Sequence, residues 1–324
     1  LWRDFHLKDT LRLGVRELLR IPWDLGAVLE HGREVGGVVI NSRHLQQKVV
    51  RSIRWGQIRR NIAKRRIDAV SVSATQISTG KTIVFVDRTE GGVPPWSRDP
   101  RVEARPVRLG PVHALASASI PFLFPPIRVE GRYYTDGSLR QSTPLSPAVR
   151  LGADRVLVVG LKQESEMTRE QGPVPEEPPG ALVLAGKLLN ALLLDRLDYD
   201  LRRLAGFNTL LRDGEATYGP EFIDQLHDTT QRFRHQPYRI VDTLSINPTG
   251  DIGKLATEFI DRVHPTIGGA PGWILSRFGQ LAALNDNDVM SYLLFDGRFA
   301  EALIEMGYQD AAARRDELLA FFTD

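Results

Sequence analysis

No cysteine occurs in the 324 residues. That excludes disulfides, thiolate nucleophiles and cysteine-ligated zinc, and it agrees with a reducing compartment. Long apolar runs are also missing. The nearest candidate, Leu182 to Leu194, is broken by Lys187 and Asn190, whereas a membrane span needs about 18 or more apolar residues in succession. No internal repeat or low-complexity tract is present. The chain starts at Leu1 without a signal-peptide pattern, and we read it as truncated, so the missing signal says nothing of destination; the location is left unknown, with a cytoplasmic or peripheral-membrane one expected. His227 and His235 have neither a metal-ligand spacing nor a suitably placed acidic companion, so no metal is implied. Gly80-Lys81-Thr82 resembles the end of a phosphate-binding loop, but Thr75 stands where that loop needs its first glycine. Nucleotide binding by that route is rejected, and no cofactor is expected.

Acidic residues are absent from Val35 to Ile67, although the net charge of the chain is only +2. Over the same stretch Arg43, Lys48, Arg51, Arg54, Arg59, Arg60, Lys64, Arg65 and Arg66 are all basic. A solvated helix surface is the ordinary reading. The alternative is a face that meets anionic lipid or nucleic acid. Val49, Ile53, Ile58 and Ile62 recur at helical spacing between the charges, which needs only a core on the opposite side. Apart from Trp55, the stretch lacks the stacking aromatics of single-strand binders, so nucleic acid is not expected.

What is present is an alternation of helix and strand. Leu7, Leu11, Val15, Leu18 and Leu19 follow helical spacing, and further helices are expected over Ser42–Arg54 and Trp55–Lys64. Asp68–Thr75 alternates and is rich in β-branched residues, so it reads as a strand, with Thr82–Val86 as its neighbour. Glu90–Pro106, dense in Gly, Pro and charge, reads as a loop. Pro111–Ser119 opens a short helix, and Arg128–Thr135 reads as one strand. Arg155–Leu161 is continuously apolar, as a strand buried on both faces would be. The four prolines of Gln171–Gly180 mark a surface linker. Ala181–Leu204 reads as helix, Tyr238–Ile246 as strand, Asp251–Val263 as helix and Gly272–Phe322 as several helices. The expectation is an α/β fold in which the five strands share one mostly parallel, mixed sheet with helices on both faces.

The informative stretch runs from His113 to Leu161. Ala116-Ser117-Ala118-Ser119-Ile120-Pro121-Phe122-Leu123-Phe124-Pro125-Pro126 precedes Gly131-Arg132-Tyr133-Tyr134-Thr135-Asp136-Gly137-Ser138. Asp136 sits where a strand ends in a glycine turn, and α/β proteins place catalytic groups at the carboxyl ends of parallel strands. Gly137 is free to take the positive φ that would turn the chain sharply. A turn aspartate bonding its own backbone is the competing reading for Asp136 alone.

In this order and at these spacings the motifs resemble patatin-like phospholipases. The small-residue stretch with Phe124-Pro125-Pro126, the short strand and Asp136-Gly137-Ser138 match that family's approach to its Asp-Gly-Gly or Asp-Gly-Ala motif. Asp68–Phe85 resembles its upstream strand pair, and Ser291-Tyr292-Leu293-Leu294-Phe295-Asp296 resembles the tail of some bacterial members. The resemblance implies a three-layer α/β fold, with residues 1–264 as the C-terminal part of the acyl hydrolase domain and residues 265–324 as a helical C-terminal region. It implies a Ser–Asp dyad acting on acyl lipid or phospholipid, with Asp136 as general base and Gly137 and Ser138 supporting it. Tyr133 and Tyr134 are expected to supply part of the surroundings that raise its basicity.

Two departures from the family pattern stand out. No serine in the chain has glycine both two residues before and two after it, so the nucleophile is expected upstream of Leu1 and the fragment alone is expected to be inactive. Ser138 stands where Gly or Ala is usual. His113 invites a Ser-His-Asp reading, but a satisfied helix histidine is the simpler one. Ser117 and Ser119 read as capping or packing residues. The rival to a lipid esterase is a non-catalytic lipid-binding or interaction protein on the same fold. Contact with an anionic membrane through the basic 43–66 stretch is the partner expected beyond the substrate.

Overall fold

The computed structural model describes residues 42–89, 100–121, 124–139, 145–161, 163, 196–230, 238–263, 294 and 296–323. The helical periodicity before residue 41, the linker at 171–180 and the expected helices at 181–195 and 272–290 lie outside them. The described elements run α1 (Ser42–Ser52), α2 (Trp55–Ala63), β1 (Ala69–Gln76), β2 (Thr82–Arg88), β3 (Val102–Pro106) and α3 (Pro111–Ser117). They continue with β4 (Ile127–Val129), β5 (Arg132–Asp136), a 3-10 turn (Gly137–Leu139), α4 (Leu145–Leu151) and β6 (Arg155–Val159). The last group is α5 (Arg196–Tyr218), α6 (Phe222–Thr230), β7 (Asp242–Ile246), α7 (Ile252–Val263), α8 (Gly297–Ala313) and α9 (Arg315–Thr323). The α/β class and the helical C-terminal region are both present.

Among the described residues the sheet arrangement differs from the expectation of one mostly parallel sheet. Five strands form one sheet in the order β3-β2-β1-β5-β4, and β6 and β7 form a second, two-stranded sheet. In the larger sheet only β2 and β3 run parallel; β1 is antiparallel to both β2 and β5, and β4 to β5. The reason is local. Five residues join β1 to β2 and two join β4 to β5, and connections that short can only return the chain antiparallel. The strand expected over Arg128–Thr135 is therefore half of a hairpin, turned at Glu130 and Gly131, whose φ values are 48° and 81°. Two successive positive φ values give the two-residue turn that matches strand twist. Val102–Pro106, expected as loop, is an edge strand; its Glu103 and Arg105 pair with each other across 2.7 Å, and Pro106 is tolerated at an edge.

The larger sheet buries most of its core on one face. Ala74, Ile83, Phe85, Leu109, Ala116, Val129 and Tyr134 form a single cluster, with α3 covering it. Full burial of each large side chain there contributes roughly 1.5–3 kcal/mol. Val84 and Val86 point the other way and meet Leu151 of α4. The opposite side of α4 carries Leu145 into a second cluster with Val156, Val158 and Val241. This helix therefore bridges the two sheets. β6 alternates in burial, with Val159 72% exposed, so it is covered on one face and not on both as its apolar run suggests.

Candidate functional site

Asp136 closes β5, and three elements fix it. Its register partner is Ala74 of β1. Its backbone N–H donates to the Ser119 carbonyl just beyond α3, across 2.9 Å. The same carbonyl accepts the Thr135 hydroxyl at 2.6 Å. The Ser119 hydroxyl in turn donates to the Leu115 carbonyl at 2.7 Å, so Ser119 packs and caps as its sequence context suggests. β5 is antiparallel to both of its neighbours, which corrects the placement of Asp136 at the end of a parallel strand.

Gly137 is required for a reason other than the one its sequence offers. Its φ is not among the positive values of the described residues. Instead the Ser73 backbone crosses directly over it: a Cβ at this position would lie 2.3 Å from the Ser73 carbonyl oxygen. Glycine lets β1 approach the turn, and that approach sets where Asp136 begins the 3-10 turn.

Asp136 is buried, the residue as a whole 9% exposed. Ser138 bonds it twice, its backbone N–H reaching Oδ1 at 2.7 Å and its hydroxyl donating to the same oxygen. Among the described residues both hydrogen bonds fall on Oδ1. Burial pushes the Asp136 carboxyl above its ordinary value because the charged form loses water, and the two bonds from Ser138 oppose the rise. Strand alternation puts Tyr134 on the same buried face as Asp136, while Tyr133 is exposed. Tyr134 is fully buried, packs edge-on against Phe85 and accepts a hydrogen bond from Arg105 at 2.8 Å. Of the two tyrosines, then, only Tyr134 shares the buried face of the carboxyl.

His113 is a structural residue. Its Nδ1 accepts the Gly110 N–H at the start of α3 across 3.1 Å, and its ring packs on Phe85 with centroids 4.9 Å apart. Burial lowers its pKa, as desolvation of a cation should. The Gly80-Lys81 segment is a hairpin turn closed by Gly80 N–H to the Gln76 carbonyl at 2.8 Å. Among the described residues no three His, Asp or Glu side chains converge as metal ligands, and no helix is long and apolar enough to cross a membrane. The Ser119 carbonyl and the Ser73 backbone escaped sequence reasoning, since a main-chain contact leaves no residue-type signature. Ser138 was visible only as a departure from a family pattern.

A family model described as patatin-like phospholipase matches residues 35–149, which span both basic helices, the five-stranded sheet and Asp136. No curated protein matches the chain.

Proposed function

We propose, on the premise that residues 35–149 belong to the patatin-like phospholipase family, that Asp136 is the general base of a lipid acyl hydrolase. The family makes a lipid-hydrolysing role the general setting. The observation that supports the finer reading is the carboxyl group itself. It is buried, raised in basicity and fixed by β1, β5 and the end of α3.

In this reading a serine hydroxyl attacks the ester carbonyl of an acyl lipid while Asp136 takes its proton, with no histidine between them. Backbone N–H groups hold the resulting oxyanion. The tetrahedral intermediate expels the alcohol, which recovers the proton from Asp136, and an acyl-enzyme remains. Water, deprotonated by the same carboxylate, then releases the fatty acid. Ser138 engages Oδ1, which leaves Oδ2 as the oxygen suited to proton transfer. The nucleophile is a serine contributed by polypeptide that these 324 residues do not include.

The test uses a polypeptide extended upstream to carry a Gly-x-Ser-x-Gly segment. Asp136→Asn should reduce turnover of a short-chain nitrophenyl ester by at least about 10⁴-fold, the loss seen when a triad aspartate is changed. His113→Ala should cost about tenfold or less, through packing alone. The reverse pattern sinks the dyad. Failure of the extended polypeptide to label with a fluorophosphonate would instead favour a lipid-binding protein without catalysis.

A further inference from the structure

We propose that the outer surface of α1 and α2 is a docking face for an anionic phospholipid bilayer. The choice of lipid over nucleic acid rests partly on the hydrolase reading; the face itself rests on the following geometry. On α1, Gln47, Val50 and Arg51 follow one another at helical spacing and are exposed, as is Arg54, the N-cap residue of α2. On α2 the exposed stripe is Gly56, Arg60, Ala63 and Lys64. The opposite side of α2 faces inward. There Ile62 is fully buried, and Arg59 turns in to the buried Asp87 at 2.9 Å. Arg59 thus braces the fold, while Arg51, Arg54, Arg60 and Lys64 are exposed.

Charge complementarity identifies the occupant. Nine basic residues and no acidic one lie between Val35 and Ile67, so the stretch lacks the alternating signs of an ordinary solvated helix surface. Each cation near an anionic leaflet contributes favourably to binding. Val50 and Ile53 stand exposed among these cations, 48% and 37% respectively. Apolar side chains set within a basic helical surface suit the headgroup boundary, where they enter the acyl layer; a phosphodiester backbone offers them nothing. Trp55, the aromatic available for base stacking, is half-buried and donates its indole N–H to the Val49 carbonyl at 3.3 Å.

The end of α2 supplies an independent sign. Arg65 N–H reaches the Ile62 carbonyl and Arg66 N–H the Asn61 carbonyl, each at 2.9 Å. This is the helix-ending arrangement whose left-handed residue is ordinarily glycine. Here that residue is Arg65, at φ 52°. A long cation is kept where the backbone favours no side chain at all, and such outliers cluster at functional surfaces. α1 packs against α3, whose following carbonyl at Ser119 holds Asp136, so the docking face and the carboxyl group belong to one packed assembly.

The experiment is vesicle co-sedimentation of the 324-residue chain, with phosphatidylcholine vesicles that contain or lack phosphatidylserine, at low and at physiological salt. Binding should require phosphatidylserine and weaken with salt. R54E/R60E/K64E should reduce affinity by roughly a hundredfold, at about fivefold or more per cation. R202E/R203E/R315E, the same charge change on exposed arginines of α5 and α9, should leave it nearly unchanged. I53S should remove much of the binding that survives high salt. The neutral set R54Q/R60Q/K64Q, checked by far-UV circular dichroism, guards against a folding artefact. Equal losses in the two triple variants, equal binding to neutral vesicles, or tighter binding to duplex DNA than to phosphatidylserine vesicles would each overturn the proposal. Soluble short-chain ester turnover does not use this face, so failure here and failure of the hydrolase reading are separately visible.

Discussion

Two opposing influences meet at Asp136. Burial raises its pKa, and the paired bonds from Ser138 lower it. A base works only when deprotonated, so the rate falls as pH drops through the pKa of this carboxyl. Ser138→Ala removes the hydroxyl that favours the charged form, so the acid limb of the pH–rate profile should move to higher pH, with the plateau little changed. An unmoved limb would mean that Ser138 does not tune the base. Stability follows the same sign. A folded-state pKa above the unfolded one contributes stability at low pH that is lost as pH rises through the folded value. Asp136→Asn should therefore stabilise the fold at neutral pH, by about 1 kcal/mol as active-site neutralisations commonly do, and less in acid. Gly137→Ala should do the opposite. Its Cβ would lie 2.3 Å from a backbone oxygen that cannot swing aside, and overpacking of that kind costs about 1–3 kcal/mol. A thermal melt reads both changes. The sequence made Asp136 and Gly137 legible as a pair because a strand ending in Asp-Gly is a pattern of residue types. Why the glycine is needed was not legible, since the atom it avoids belongs to the main chain of residue 73.

At the level of elements, legibility followed the length and purity of the periodic signal. Both basic helices and the β1–β2 pair lie within two residues of where spacing puts them. β3 was hidden because it is five residues long, ends in Pro106 and closes a stretch dense in Gly, Pro and charge; its Glu103 and Arg105 pair with each other, and Arg105 also reaches Tyr134. The β4–β5 hairpin was hidden because Glu130 occupies a positive-φ position without the usual Asn or Asp. Arg65 is the same kind of exception at a helix end, and it carries a prediction. Left-handed geometry costs a non-glycine residue roughly 1–2 kcal/mol, so Arg65→Gly should stabilise the chain by about 1 kcal/mol, read as a shift in denaturant midpoint at constant slope. A destabilised variant would show that the Arg65 side chain makes a contact worth more than the strain of its backbone.

At the scale of the whole molecule, the described residues form two sheets of unequal strength joined through α4. Ile83, Val84 and Phe85 of β2 are fully buried within five strands. By contrast β6 and β7 pair, among the described residues, only with each other, with Val159 exposed on the outer face, and two strands by themselves are marginally stable in water. What holds the smaller sheet is its surroundings. Asn208 of α5 bonds both backbone groups of Val241, donating at 2.7 Å and accepting at 3.1 Å. Arg314, between α8 and α9, donates to the Ser245 carbonyl. Beyond β7, the Thr249 hydroxyl donates to the buried Asp310 of α8 at 2.6 Å, and its N–H to the other carboxylate oxygen at 3.3 Å. The C-terminal helices thus serve as the brace of the β6–β7 unit. Local opening is governed by such a balance of contacts, so amides of β6 and β7 should exchange with solvent faster than those of β1 and β2. Asp310→Ala leaves both Thr249 groups without their acceptor, at a cost of about 1–3 kcal/mol. That loss should appear as faster exchange confined to β6, β7 and α8, with β1 and β2 unaffected, because among the described residues the two clusters meet through α4, with Leu151 on one and Leu145 in the other. If protection falls equally in both sheets, the chain opens as a single cooperative unit and α4 couples them far more tightly than the packing of Leu151 on Val84 and Val86 suggests.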